Sequence, residues 1–313
     1  MSFLEYYNLK REPFSNAPDR RFFFRNEQHT QALKRLAMAA QNQRGLSLCT
    51  GPIGHGKTTL ARRLYDILPE KEFHKALLVV IHSDVTSDWL LLKLAKLLGV
   101  SKPKNTKVEL LGQMYQRLRA VDRAGRKTII MIDEAQMLSG RKLMEEFRGL
   151  LNIELKGRKL INFIFFGLPE IDENLKEDEP LRQRVAMRVI LTPYSVHGTR
   201  QYIHHRMQVA GGTGNIFSSL IIEKIHEYSK GTPRIINTLC DNLLIEGYLA
   251  KKPVMDLLML DELAKNFDLL PKPVAKAPKQ AMPKPAPQVQ PNEEEGWHID
   301  PEALEELVQL TEK

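Results

Sequence analysis

The sequence predicts an α/β fold in three layers, a parallel sheet with helices on both faces, followed by a small all-helical domain and a disordered tail. Three observations carry this expectation. Short apolar, β-branched or aromatic runs at 46–50, 76–82, 128–133 and 160–167 alternate with helical patterns, the signature of a parallel sheet covered on both sides. After Thr192 and Pro193 the strand signals stop while helical periodicity continues. From Pro271 the composition turns to Pro, Lys and Gln with few large apolar side chains, too little to bury a core. The 313 residues, 42% hydrophobic and 27% charged, are enough for a sizeable core and more than one domain.

Taken in order, the chain opens with a segment, 1–25, that includes Phe14 and the run Phe22-Phe23-Phe24. Over 28–43, Ala32, Leu33, Leu36, Ala39 and Ala40 recur with helical spacing and Gly45 follows. That helix feeds the strand at 46–50, which meets a glycine-rich turn and another helical run. Helical patterns at 89–98, 108–124 and 142–155 separate the remaining strands. Those at 196–209, 219–228, 234–250 and 261–267 build the second domain. The boundaries that follow are an α/β domain over 26–193, a helical domain over 194–270, a Pro-rich linker over 271–296 and a short amphipathic helix over 297–313. In this last piece Asp300 can cap a helix with Pro301 at its first position. Leu304, Leu307, Val308 and Thr311 then share one face, with Trp297 just upstream. A short amphipathic helix on such a tether reads as a peptide that docks on a protein partner. There is no internal repeat.

Composition excludes several classes of function. No apolar stretch approaches the roughly 20 residues that span a bilayer, and the start, MSFLEYYNLKREPF, lacks an apolar signal core. A cytoplasmic chain with no transmembrane segment is expected. Cys49 and Cys240 have no CxxC partner and read as buried free thiols, with no disulfide, zinc site or redox chemistry. The net charge of +8 is uneven, because the residues from Pro271 onward carry 5 Lys and Arg against 8 Asp and Glu, leaving a net of +11 on the body. A basic body attracts nucleic acid or anionic lipid, and equally its own acidic tail.

The chemistry is written in two motifs. Gly51-Pro52-Ile53-Gly54-His55-Gly56-Lys57-Thr58 satisfies the Walker A pattern at every fixed position, between an apolar strand and a helical run. The glycines let the backbone wrap so that several N–H groups point at a β-phosphate, and the next helix, continuing through Thr59, adds its positive N-terminal end. Lys57 bridges β- and γ-phosphates and the Thr58 hydroxyl ligates Mg²⁺ in such a P-loop, so ATP and Mg²⁺ are the expected ligands. His55 occupies a variable position and carries no chemistry. Walker B follows at 128–134, where an apolar strand places Asp133 at its carboxyl end to hold Mg²⁺ through water. The adjacent Glu134 is placed to polarise the attacking water as general base.

Together with these motifs, Tyr7-Asn8-Leu9, Pro13-Phe14, Pro18-Asp19, Phe22-Phe23-Phe24, Asp133-Glu134-Ala135-Gln136, Gly167-Leu168-Pro169-Glu170, Gln183-Arg184 and Gly231-Thr232-Pro233-Arg234-Ile235-Ile236-Asn237 give a resemblance spanning nearly all of residues 1–270. The chain resembles the AAA+ ATPases of the ExeA/GspA type, a group that also includes TnsC-like transposition regulators. The resemblance implies a P-loop AAA+ core, a helical lid that closes over the base, an opening segment near the nucleotide, and a pocket at a subunit boundary of a homo-oligomeric ring or filament. It makes Arg234 the sensor-2 arginine that reaches the γ-phosphate from the lid. Arg184 becomes the finger that enters a neighbouring subunit's site, with Arg182 and Arg188 as nearby candidates. One position departs from the pattern: Leu168 stands where relatives carry a polar sensor-1 residue, and leucine cannot orient a lytic water. Either Gln136 supplies a substitute amide or hydrolysis is slow and ATP acts as an assembly switch. Two functions follow. The favoured one is assembly of a cell-envelope machine of the type II secretion or pilus kind, with an envelope-assembly protein as partner of the C-terminal helix and a peripheral position at the inner membrane. The other is ATP-dependent DNA binding in transposition, resting on the basic body and on the clusters at Arg141-Lys142 and Lys156, Arg158 and Lys159.

Overall fold

The computed structural model describes residues 2–212 and 216–270. The expected linker at 271–296 and amphipathic helix at 297–313 lie outside the described residues. A one-turn helix α1 (Phe3–Tyr6) and a 3₁₀ turn (Arg20–Phe22) open the chain. The core then runs α2 (Glu27–Gln41), β1 (Leu46–Thr50), α3 (Lys57–Ile67), β2 (Phe73–Val79), α4 (Ser87–Leu97), α5 (Lys107–Arg123), β3 (Lys127–Asp133), α6 (Arg141–Leu150), β4 (Glu154–Leu155), β5 (Arg158–Lys159), β6 (Ile161–Gly167), α7 (Ile171–Lys176), α8 (Glu179–Arg182) and β7 (Val185–Ile190). Helices α9 (Val196–Val209), α10 (Ser219–Ser229), α11 (Pro233–Leu249) and α12 (Leu257–Asn266) follow. Among the described residues no helix is long and apolar enough to cross a membrane.

Side-chain alternation along the strands splits the core into the expected layers. Leu46, Leu48, Ile130, Ile132, Phe163 and Phe165 pack with Leu90, Leu94, Met114, Leu118, Leu143 and Phe147 of α4, α5 and α6. The opposite face presents Cys49, Ile129, Met131, Ile164, Phe166 and Val189 to Ala32, Leu36, Leu60, Ala61 and Leu64 of α2 and α3. Cys49 and Cys240 are buried free thiols, as expected. The main sheet is parallel, in the order β2-β3-β6-β1-β7. Its register puts Thr50 opposite Gly167 and Asp133 opposite Phe166. The carboxyl ends of β1, β6 and β3 therefore stand side by side, where an open parallel sheet binds its ligands.

Several elements differ from the expectation. The fifth strand of the main sheet, β7, has no counterpart among the expected strands: it is an edge strand with Ala186, Arg188 and Ile190 exposed, so its charge obscures its pattern. The expected helix at 142–155 ends at Leu150, and the residues after it form the β4–β5 hairpin, whose Lys156 and Gly157 have φ of 51° and 75°, as a tight two-residue turn requires. Strand β2 is displaced towards the N-terminus from the expected 76–82, because its pairing with β3 starts at Phe73 opposite Lys127 and ends at Val79 opposite Asp133. Helix α12 starts before the expected 261, capped by Asp256, which accepts from Met259 N–H.

The opening segment packs into the core of the helical region. Tyr7, Leu9, Phe14 and Phe22 are buried with Ile203, Phe217, Leu239 and Leu243, Lys10 N–H donates to Ala210 O at 2.7 Å and Tyr7 Oη donates to Lys252 O at 3.0 Å. Phe23, the next residue, joins the sheet-facing cluster with α2 and α3. Gly231 sits at φ 72°, and any side chain there would collide with the backbone of Tyr194, so the turn that leads into α11 requires glycine.

Candidate functional site

The glycine-rich turn leaves β1 at Gly51, packed so closely on Leu191 O that an added Cβ would lie 2.7 Å from it. Gly54 and Gly56 adopt φ of 79° and 85°, left-handed values that L side chains avoid. The resulting loop bends over the carboxyl end of the sheet and delivers Lys57 as the first residue of α3. Lys57 is 7% exposed, and its Nζ donates to Gly51 O at 2.7 Å and Pro52 O at 2.8 Å. Burial pulls its ammonium below the usual range, while Glu134, Asp133 and Glu170 oppose that pull.

Asp133, at the end of β3, is 1% exposed and takes a hydrogen bond from the Thr58 side chain, while its Oδ1 is buried without a partner. Burial raises its carboxyl above the usual range, against that bond. An orphaned carboxylate oxygen next to a threonine hydroxyl fits a hard cation. Among the described residues no cluster of three or more His, Cys, Asp and Glu side chains exists, so phosphate and water would supply the other ligands, the habit of Mg²⁺.

Glu134 follows in the left-handed region, φ 56°, and is half-buried. Gln136 Nε2 donates to its Oε2 at 2.7 Å, and Gln136 Oε1 accepts from Leu168 N–H at 3.0 Å. From above, α11 crosses the loop: Arg234 N–H donates to Gly54 O at 3.3 Å, and a Cβ on Gly54 would stand 2.9 Å from that of Arg234. These groups border one cavity of about 480 Å³, which touches Ile53, Gly54, Gly56, Lys57, Thr58 and Thr59 from the loop, then Glu134, Gln136, Leu168 and Arg234. Gly51, Pro52 and His55 do not line it. His55 turns inward, its Nδ1 3.0 Å from Ile53 O.

The far end of the cavity is built from residues 15–19, Phe22, Phe23 and Phe24 of the opening segment, with Tyr194, Tyr202, Arg206 and Asn237. Arg206 is a buried cation satisfied by backbone: it donates to Pro13 O, to Ser15 O at 2.8 Å and to Tyr202 Oη at 3.0 Å, and it lies 4.7 Å from the Phe22 ring centroid. Tyr202 Oη donates to Asn237 Oδ1 at 2.8 Å, and Asn237 Nδ2 to Asn16 Oδ1 at 3.1 Å. Of the opening aromatics, Phe22, Phe23 and Phe24 border the cavity, whereas Phe14 is core at 1% exposure.

Residues 40–175 match the family model described as AAA domain. Over 250 residues, 79% of this chain and 45% of the relative, the sequence is 31% identical to general secretion pathway protein A of Aeromonas hydrophila. The chain belongs to the AAA+ ATPases of that type. It spans less than half the length of that relative. Among solved structures, the ADP form of Aeropyrum pernix ORC2 matches with a TM-score of 0.62 at 13% identity, covering 82% of this chain and 72% of that one. A Walker-type ATPase of Pyrococcus abyssi matches at 0.59 and 17%, covering 82% and 76%. At such identities the likeness is one of fold.

Arg184 of this AAA+ chain stands apart from the cavity, half-buried at the foot of β7, donating to Asn152 Oδ1 and, at 3.5 Å, to Arg148 O. Arg182 is paired with Glu179 and Arg188 with Asp172. The basic clusters are mostly paired too: Arg141 with Glu145 at 3.0 Å, Arg158 with Asp122 at 2.7 Å, Lys159 with Glu154 at 3.3 Å. His29, Tyr202 and Arg206 are cavity residues that belong to no motif. Arg206 did leave a signal, a charge within the apolar stripe of Tyr202, Ile203 and Met207 on α9.

His29 is 4% exposed beneath the loop, with its Nδ1 2.7 Å from Asn26 Oδ1 and its ring edge-on to Phe23 and Tyr194. Burial pushes its imidazole down from 6.5 to about 4, with a hydrogen bond to the His55 backbone opposing. Its contribution is intact above pH 6.5. As pH falls from 6.5 towards 4 the unfolded chain binds a proton that the folded chain refuses, so stability declines, by up to about 3 kcal/mol. Denaturant unfolding at pH 7 and pH 4.5 should show this slope flattened in His29→Gln; an unchanged slope would assign it to other groups.

Proposed function

We propose that this chain binds ATP with Mg²⁺, assembles with copies of itself into a ring or filament, and hydrolyses ATP to drive or regulate the building of a cell-envelope machine of the type II secretion or pilus kind. The observation that carries the reading is the convergence of Lys57, Thr58 and Glu134 on one cavity beneath Arg234, with Asp133 hydrogen-bonded to Thr58 just behind its wall and one carboxylate oxygen unpartnered, in a chain related over most of its length to a general secretion pathway protein. Thr58 and Asp133 would hold Mg²⁺, which supplies neutralisation of phosphate charge when bound. Lys57 binds the β- and γ-phosphates and Arg234 reaches the γ-phosphate from the lid. Glu134 takes a proton from the attacking water as its oxygen bonds to the γ-phosphorus and the bond from that phosphorus to the β–γ bridging oxygen breaks, leaving ADP and phosphate. The aromatic end, Phe24 and Tyr202 with Asn16 and Asn237, suits a base, and Arg184 completes the site of a neighbouring copy. The DNA-binding alternative has less support, because the basic clusters on which it rests spend Arg141, Arg158 and Lys159 on acidic neighbours.

The oligomeric part is tested by mixing. Arg184→Ala should bind ATP like wild type yet lose about 10²-fold or more of its turnover, and mixing it with Lys57→Ala protein should restore part of the activity. Full turnover by Arg184→Ala alone removes this residue from the site. The functional choice is tested on the whole chain with a non-hydrolysable ATP analogue. Capture of an envelope-assembly protein that needs residues 271–313 supports the envelope reading. Retention of duplex DNA, lost steeply with salt as condensed counterions return and indifferent to loss of those residues, overturns it.

A further inference from the structure

We infer that Gln136 is the positioning residue for Glu134, a carboxamide clamp that ties the carboxylate after β3 to the backbone N–H of Leu168 after β6. The inference rests on the ATP-hydrolysis reading above. Leu168 has no side-chain group to orient a water. The backbone of the same residue does have one polar hydrogen, and Gln136 uses it.

The orientation of the carboxamide follows from its partners. Leu168 N–H is a donor only and an ionised Glu134 carboxylate is an acceptor only, so Oε1 must face the first, at 3.0 Å, and Nε2 the second, at 2.7 Å. Reversing the amide would set donor against donor and acceptor against acceptor. Only a side chain with a donor and an acceptor at this separation completes the bridge. Glutamate would face one carboxylate with another, and methionine would fill the space with neither bond.

Two neighbours hold the clamp in place. Asn174 Nδ2 donates to Gln136 O and to Leu138 O, each at 2.9 Å, which pins the turn that carries Gln136 to α7. On the other side Gly167 leaves room, since a Cβ there would stand 2.9 Å from Gln136 Oε1 and 3.1 Å from Gln136 N. Glu134 itself sits at φ 56°, a conformation that persists only where its surroundings over-determine it. Among the described residues its Oε1 takes no hydrogen bond, so the clamp fixes one oxygen and leaves the other to the water. Both Glu134 and Gln136 border the cavity. The clamp makes the sensor-1 position of this chain a backbone group read through Gln136, and it accounts for a leucine there without loss of orientation.

The test uses the full chain with Gln136→Met, which keeps the length and packing of the side chain, and Gln136→Ala. In both, kcat should fall about 10- to 100-fold, part of the 10²- to 10⁴-fold a positioned general base supplies, while KM for ATP stays within about twofold. Exchange of the Leu168 amide hydrogen should quicken in both Gln136 variants and stay slow in Glu134→Gln, which keeps an acceptor for Gln136. Wild-type kcat in Gln136→Met, or a raised kcat that would mark Gln136 as holding Glu134 away, overturns the inference. Should the wild-type protein turn over no ATP, the hydrolysis reading fails by itself. The exchange measurement then decides the clamp: protection lost in Gln136→Met upholds it, and protection unchanged overturns it.

Discussion

Lys57→Ala is expected to remove detectable ATP binding, weakening affinity on the order of 10²- to 10³-fold, or about 3–4 kcal/mol. The ammonium is nearly enclosed, and its hydrogen bonds run to Gly51 O and Pro52 O of its own loop. Burial opposes its charge while Glu134, Asp133 and Glu170 favour it, and it is the one cation of the loop that borders the cavity. At a nearly enclosed ammonium a charge–charge bond is strong and its loss is poorly made up by solvent. Calorimetric titration with a non-hydrolysable ATP analogue and Mg²⁺ gives the affinity directly. Because the substitution also frees two loop carbonyls, thermal unfolding without nucleotide has to be measured beside it. A variant that melts near wild type yet fails to bind isolates the phosphate contact, and equal affinity in the two proteins would remove the loop from the proposed function.

The parts of this architecture that were legible in the sequence are those whose physics is local. Leu46–Thr50 and the loop after it could be placed because a strand, a set of left-handed glycines and a helix start must follow one another within a dozen residues. Asp133 could be placed because an apolar strand can only deliver a carboxylate at its end. What stayed hidden depends on residues far apart in sequence. Nothing near Arg206 announces that its partners are the carbonyls of Pro13 and Ser15, or that Tyr7, Leu9 and Phe14 complete the helical core rather than form a separate segment. The edge strand β7 is hidden for a different reason. It is half solvated and carries Arg188, and such strands trade hydrophobic pattern for protection against unwanted pairing. For Gln136 the sequence leaves two alternatives open, a substitute amide or slow hydrolysis. Only the pairing of β3 with β6, which sets Asp133 opposite Phe166, brings its carboxamide between Glu134 and the Leu168 backbone.

Glu134→Gln should separate binding from chemistry. Glutamine keeps the size of the side chain and still accepts from Gln136 Nε2, so the cavity wall and the left-handed turn survive. It cannot take a proton from water. Turnover is expected to fall about 10²- to 10⁴-fold, while affinity for ATP stays at or above that of the wild type, since one negative charge has left the neighbourhood of the phosphates. If subunits share the site, the variant accumulates in its ATP-bound assembled form, which size-exclusion chromatography with light scattering detects as a nucleotide-dependent shift in mass. Lys57→Ala under the same conditions should show no shift. The pair of variants therefore orders the events, with phosphate capture by Lys57 preceding assembly and proton transfer to Glu134 following it. Wild-type turnover in Glu134→Gln would move the general base elsewhere in the cavity and leave Gln136 without a carboxylate to hold.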